Sequence, residues 1–161
     1  MHRATDEGRR ALAAWRRSRK LVAFTEAKQV AVAQLLIALR GTRLLVFTGD
    51  NDTAYRVASE HCIMPITCDI GREERKQALE RFRTGALSAL VSAQVLNEGI
   101  DVPDAETAIL VGGRLGTREY IQRVGRVLRP APGKQALVYE LLSRDTHEIR
   151  DSLRKRQGLG S

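Results

Sequence analysis

Short strand-like segments recur along the chain with helix-like segments between them, and this alternation restricts the fold more than any other feature. Leu44-Leu45-Val46-Phe47 is a continuous apolar run stopped by Thr48-Gly49-Asp50, and further strands are expected at Leu87–Val91, Thr107–Val111 and Gln135–Leu141, with a weaker one at Pro65-Ile66-Thr67-Cys68. Between them lie helical segments. Thr25–Leu39 carries Val30, Ala33, Leu36 and Ile37 at helical spacing, and Gly41 is placed to end it. Asp52 or Thr53 is positioned to cap a helix running to about His61. Gly71–Arg83 gathers Ala78, Leu79 and Phe82 on one face, and Leu115–Leu128 is ended by Pro130. Strands that are apolar at every position are buried on both faces. The expected fold is therefore α/β: a mostly parallel sheet flanked by helices in three layers. Binding sites in such folds lie at the carboxyl ends of the strands. Three loops qualify: Thr48-Gly49-Asp50, the segment after Val91, and Gly112-Gly113 after Val111.

With 161 residues the chain is long enough for one domain and its core. The expected division is a basic helical lead-in over residues 1–20, the α/β domain over 21–145, and a basic tail over 146–161 containing Arg150, Arg154, Lys155 and Arg156. A net charge of +8 and a pI near 10.2 point to a polyanionic partner, with nucleic acid first. Aromatic residues make up only 4% of the chain, too few for a base-stacking platform, so contact with phosphates is expected instead. Cys62 and Cys68 are the only cysteines and have no histidine at metal-ligand spacing, which argues against a disulfide framework and a zinc site. His2, His61 and His147 are far apart, and packing or surface roles fit them better than ligation. Met1-His2-Arg3 opens no signal peptide, and no apolar run reaches membrane-spanning length. The expectation is a cytoplasmic or nucleoid-associated protein with no membrane partner and no metal site of its own.

Two segments carry candidate chemistry. At about 100° per residue, Ile121, Val124, Val127 and Leu128 share one arc of a helix, and Gln122, Arg123, Arg126 and Arg129 share the opposite one. Gly125 lies near the seam, where a missing side chain admits close approach. Arginine binds phosphate oxygens through a planar fork and does not titrate near neutral pH. Two readings are open for this row: a solvated basic face, or arginines aimed at a phosphoryl group. The second segment is Ser92-Ala93-Gln94-Val95-Leu96-Asn97-Glu98-Gly99-Ile100-Asp101-Val102-Pro103. Gly99 permits close backbone approach, Asp101 can accept hydrogen bonds from a sugar hydroxyl, and the amides near Ala93 and Gln94 open toward a phosphate. The competing reading is a polar loop in which Asp101 is a turn residue.

Together the segments resemble a known pair. Leu96–Pro103 resembles motif V of superfamily 2 helicases, and Gln122–Arg129 (QRVGRVLR) resembles motif VI, with the strand Thr107–Val111 between them as in that family. Arg118–Arg123, Arg72-Glu73-Glu74-Arg75, Val46-Phe47-Thr48 (motif IV) and Tyr139–Arg144 resemble the XPB type of DNA helicase found in archaea and bacteria. The likeness covers residues 20 to 150 or so and implies a RecA-like fold. It implies that Arg126 and Arg129 reach the γ-phosphate of ATP, Arg126 foremost, that Gly99 and Asp101 meet the nucleotide, and that Gln122 and Arg123 brace the site. It also implies that Phe47, Thr48, Ser92, Ala93 and Gln94 lie on loops facing the nucleic-acid backbone. One departure stands out: where Ala93 stands, the family usually has a hydroxyl residue. Ser92 carries a hydroxyl, but neighbouring strand residues point to opposite faces.

No GxxxxGK[ST] phosphate loop occurs, and no strand ends in an Asp-Glu pair to hold magnesium. Phosphoryl transfer needs a phosphate cradle and a metal as well as arginines. In the family, ATP and Mg2+ are held by a separate N-terminal RecA-like domain. The expectation is therefore the C-terminal motor half of an ATP-dependent DNA helicase or translocase, unable to hydrolyse ATP alone. Relatives serve DNA repair and transcription with nuclease or multi-subunit partners; no residue here identifies one. The rival is a non-catalytic RecA-like module that binds nucleic acid or a protein partner, and an RNA helicase half is a further alternative, since phosphate contacts do not separate DNA from RNA.

Overall fold

The computed structural model describes residues 6–93, 105–112 and 137–157, with the side chains of 155–157 excepted. In chain order the described elements are α1 (Asp6–Ala23), α2 (Glu26–Ala38), β1 (Leu44–Thr48), α3 (Asn51–His61), β2 (Met64–Ile66), α4 (Arg72–Arg83), β3 (Ala89–Ala93), β4 (Thr107–Val111), β5 (Leu137–Leu141) and α5 (His147–Gln157). The strands form one sheet in the order β2-β3-β1-β4-β5, and every pairing is parallel. Every residue of β1 and β4 is buried. Continuous apolar runs produce this result, because a strand covered on both sides has no face left for polar side chains.

Both faces of the sheet are covered. On one face Phe82 and Ala78 of α4 pack with Leu45, Phe47, Leu90, Ala108 and Leu110. On the other, Val32 of α2 and Ala54, Val57 and Ala58 of α3 pack with Leu44, Val46, Val91, Ile109 and Val111. Alternate residues of the same strand serve opposite faces. The expected three-layer α/β fold is present.

Several boundaries differ from the sequence expectation for local reasons. Helix α3 is capped by Asp50, whose carboxylate accepts from the Thr53 amide at 2.8 Å, so neither Asp52 nor Thr53 is the cap. Strand β3 starts at Ala89 because the Leu87 amide still bonds back to the Arg81 carbonyl at 3.0 Å. Strand β2 ends at Ile66, where Thr67 opens a turn. The Ile70 amide bonds to Thr67, and the Arg75 guanidinium donates to the carbonyls of Thr67 and Ile70, each at 3.2 Å. Arg75 therefore braces a loop instead of standing in solvent with Arg72 and Lys76.

The stretch Asp6–Ala38 contains an 18-residue window with a mean hydropathy of 1.4, enough by length and composition to cross a membrane. Mean hydropathy thus finds a candidate where unbroken run length finds none. In the fold this stretch is two helices broken at Phe24-Thr25, where the Thr25 hydroxyl caps α2 by accepting from the Lys28 amide. Lys28 is 4% exposed, and Val32 lies in the core beside it. Apolar composition here serves packing of α2 on the sheet.

The two ends of the chain meet at this break. The Lys28 ammonium bonds both carboxylate oxygens of Glu148 on α5, at 2.7 and 2.6 Å, and the carbonyls of Val22 and Ala23, at 3.0 and 3.3 Å. Glu148 also accepts from the Ser143 amide at 2.8 Å, and Arg19 pairs with Asp151 at 3.0 Å. Burial pushes the Lys28 pKa below its ordinary value, against the raising pull of Glu148. A buried pair of this kind contributes by holding geometry, because desolvation offsets much of its attraction. Residues 146–154 therefore include a docked helix side, Glu148 and Ser152, with Arg150 and Arg154 exposed on the other.

Candidate nucleotide and nucleic-acid site

Parallel register brings the three sequence-derived loops to one edge. Thr48 at the end of β1 stands between Ala93 of β3 and Val111 of β4. The ends of β1, β3 and β4, at Thr48, Ala93 and Val111, therefore lie side by side, at the usual strand separation of about 4.8 Å. Gly49-Asp50 then turns directly into α3. The Thr48 hydroxyl donates to the Asp50 carbonyl at 3.0 Å, which ties this loop to its own strand.

The described nucleic-acid candidates are placed differently from the expectation. Phe47 and Thr48 belong to β1, and Ser92 and Ala93 belong to β3, so they are strand residues and not loop residues. Their side chains are buried, Phe47 in the α4 face of the core and Ala93 in the α2–α3 face. The Ser92 hydroxyl donates to the Ile66 and Ala93 carbonyls at 3.1 and 3.3 Å and is enclosed. It does not replace the hydroxyl that Ala93 lacks, because it points into the sheet's other face. These four residues form the floor of the edge. Gln94, Gly99, Asp101, Gln122, Arg123, Arg126 and Arg129 lie outside the described residues.

Two features of the edge had little or no signal in local sequence. Lys20 of α1 pairs with Asp52 in the first turn of α3, at 2.8 Å. The contact raises the Lys20 pKa and lowers that of Asp52, in each case chiefly through the hydrogen bond. The second is Gly112, whose φ is +63°; a methyl group there would stand 2.6 Å from the Ala23 carbonyl oxygen. Only glycine accepts both the backbone conformation and the contact. Together Lys20 and Ala23 fix the end of α1 across the carboxyl ends of β1 and β4.

Beyond β2, Asn51 donates to Asp69 at 3.0 Å and to Cys68 Sγ at 2.9 Å, while the Tyr55 hydroxyl shares a 2.7 Å bond with Thr67. This group ties the loop after β2 to α3. Among the described residues, no cluster of three His, Cys, Asp or Glu side chains is placed to hold a metal ion.

Comparison with known proteins agrees with this architecture. The family description "Helicase conserved C-terminal domain" matches residues 27–131. The chain is 35% identical over 151 residues to the DNA 3'-5' translocase XPB2 of Sulfurisphaera tokodaii, covering 94% of this chain and 34% of that protein. It is 36% identical over 131 residues to a putative DNA 3'-5' helicase Rad25 of Halobacterium salinarum, covering 81% of this chain and 22% of that protein. The chain thus spans about a third of the first of these relatives and less of the second. Among solved structures, the C-terminal domain of the DEAD-box protein Dbp5 superposes with a TM-score of 0.71 at 22% identity, covering 84% of this chain and 81% of that one. That likeness establishes the fold, a RecA-like α/β domain. The chain belongs to the helicase C-terminal domain family and is similar to the XPB type of DNA helicase and translocase.

Proposed function

We propose that this chain is the C-terminal motor half of an ATP-dependent DNA translocase, acting with an N-terminal RecA-like domain of the same protein. The observation that carries the reading is the alignment of the ends of β1, β3 and β4 on one edge. In sequence, Gly99 and Asp101 follow β3, and Gln122, Arg123, Arg126 and Arg129 follow β4. Arg126 and Arg129 meet the terminal phosphate of ATP across an interdomain cleft, and Gly99, Asp101, Gln122 and Arg123 hold the nucleotide's near side. ATP with Mg2+ supplies the phosphoryl group and the metal charge; its cradle and metal ligands belong to the other half. An arginine supplied in this way is worth about 10³ to 10⁵ in rate.

On this reading the carboxyl edge also carries the nucleic-acid grip. Since Phe47, Thr48, Ser92 and Ala93 are buried, the contacts come from backbone amides at their loop ends and from Gln94. Phosphate contact gives affinity without sequence preference. The preference for DNA over RNA in this reading is supported by the higher identity of the XPB-type relatives, 35–36%, than of the RNA helicase dbp6 of Schizosaccharomyces pombe, 27%. A cytoplasmic or nucleoid location and work in DNA repair accord with this assignment. The test is DNA-stimulated ATP turnover by this chain alone and when joined to its N-terminal half. Silence alone and activity when joined support a motor half. Turnover by this chain alone contradicts it, and silence in both favours a binding module.

A further inference from the structure

Helix α1 is long, helical and barely attached. None of its eighteen residues is buried. At about 100° per residue, Arg9, Arg10, Arg16, Arg17 and Lys20 fall within an arc of about 120°, with Ala11, Leu12, Trp15 and Val22 on the other side. Arg19 lies on that inner side and is spent on Asp151. Arg10, Arg16 and Arg17 are exposed and pair with no carboxylate among the described residues, while Arg9 pairs with Asp6. Cationic side chains gathered on one arc repel one another, so the arrangement carries a standing cost that an anionic partner would remove.

The location of this arc separates it from an ordinary solvated face. Lys20 lies on it and bonds Asp52 at the start of α3, one turn after Thr48-Gly49. Ala23, just beyond, abuts Gly112 at the end of β4. The basic arc therefore begins at the carboxyl edge of the sheet and runs away from it along α1. Arg9-Arg10 and Arg16-Arg17 stand seven residues apart, about 10 Å along a helix. A row of that length is enough to meet more than one phosphate of a nucleic-acid backbone.

We propose that the arginine face of α1, formed by Arg10, Arg16 and Arg17 beyond the Lys20–Asp52 anchor, is an accessory contact for the phosphate backbone of nucleic acid lying along the carboxyl edge. The inference rests on the DNA-motor reading and adds a grip outside the strand-end loops. It explains why a helix that contributes nothing to the core is tied down at this edge. An anionic lipid surface is the other polyanion that a basic amphipathic helix fits, and the edge location favours nucleic acid.

The test uses this full chain and a fluorescent duplex and single-stranded oligonucleotide, titrated from low to moderate salt. Arg10→Gln, Arg16→Gln and Arg17→Gln combined should weaken binding about tenfold or more near 0.1 M salt. They should also reduce the slope of log K against log salt by about 2 to 3, one counterion per lost contact. The matched control, Arg72→Gln, Lys76→Gln and Arg81→Gln on α4, removes the same charge from the opposite face of the sheet and should have a much smaller effect. The corresponding triple Arg→Lys variant should keep the slope. Unchanged melting of the Gln triple shows that the fold is intact. Equal losses from the α1 and α4 triples, or none from the α1 triple, overturn the proposal while leaving the motor reading in place. No binding by the unsubstituted chain overturns the proposal, while the motor reading is decided separately by ATP turnover of the joined protein. Binding of the unsubstituted chain to phosphatidylserine vesicles that the α1 triple abolishes, with oligonucleotide binding unaltered, assigns the face to lipid and overturns it.

Discussion

Helices α1 and α2 are neighbours in sequence, separated by Phe24-Thr25, yet they stand on different physical grounds. Helix α2 buries Val32 and Lys28 and closes one layer of the domain. Helix α1 buries nothing and is held at its last turns by Arg19–Asp151, Lys20–Asp52, the bonds of Lys28 and Ser143 to its last carbonyls and the abutment of Ala23 on Gly112. A short helix in water is marginal without tertiary support, so α2 belongs to the stability of the fold. Helix α1 is free to spend its surface on something outside it. The joint between them determines where α1 points.

The largest effect expected on this contrast comes from breaking the joint. Lys28→Met leaves Glu148 buried without its cation and should cost about 3–5 kcal/mol. Adding Glu148→Leu should recover most of that, as read by urea denaturation. If the single substitution costs no more than a surface change, α2 and α5 are not clasped as described. Gly112→Ala should cost about 1–3 kcal/mol through the positive φ and the contact with Ala23. An unaltered melting temperature would mean that the α1–α2 bend does not press on β4.

The smallest effect is local. Lys20→Met should raise the Asp52 pKa back toward the ordinary carboxylate value, as followed by NMR titration of the carboxyl carbon. The sign follows from the direction of the shift. Because the Asp52 pKa is lowered in the fold, its contribution is present above the ordinary value and is lost as pH falls through the folded one. Both groups are fully exposed, so melting should barely move. No change in Asp52 would detach α1 from the carboxyl edge.

The layered fold was legible because β1 and β4 are apolar at four of five positions each, and Thr107–Val111 falls where its residues place it. The line of strand ends at Thr48, Ala93 and Val111 follows from that pattern once pairing is parallel. Side-chain direction was harder. Thr48, Ser92 and Ala93 were expected in loops, but β1 and β3 continue through them. The cap of α3 was misjudged because Asp50, Asp52 and Thr53 all suit the role, and only the extended backbone at Asp50 selects it. Lys28 resembles any solvated helix lysine, and its partner lies 120 residues away. No local pattern can announce such a pair. The candidate site was legible chiefly through motif resemblance, since a row of arginines on a helix is chemically consistent with both a solvated face and a phosphate contact.

The most direct test of the motor assignment is steady-state ATP turnover of the joined protein with saturating DNA, comparing the unsubstituted enzyme with Arg126→Ala. The account predicts that kcat falls by about 10³ to 10⁵, with KM for ATP and the affinity for DNA changed only a few-fold. An unaltered kcat would remove Arg126 from the chemistry and leave its helix as a basic surface.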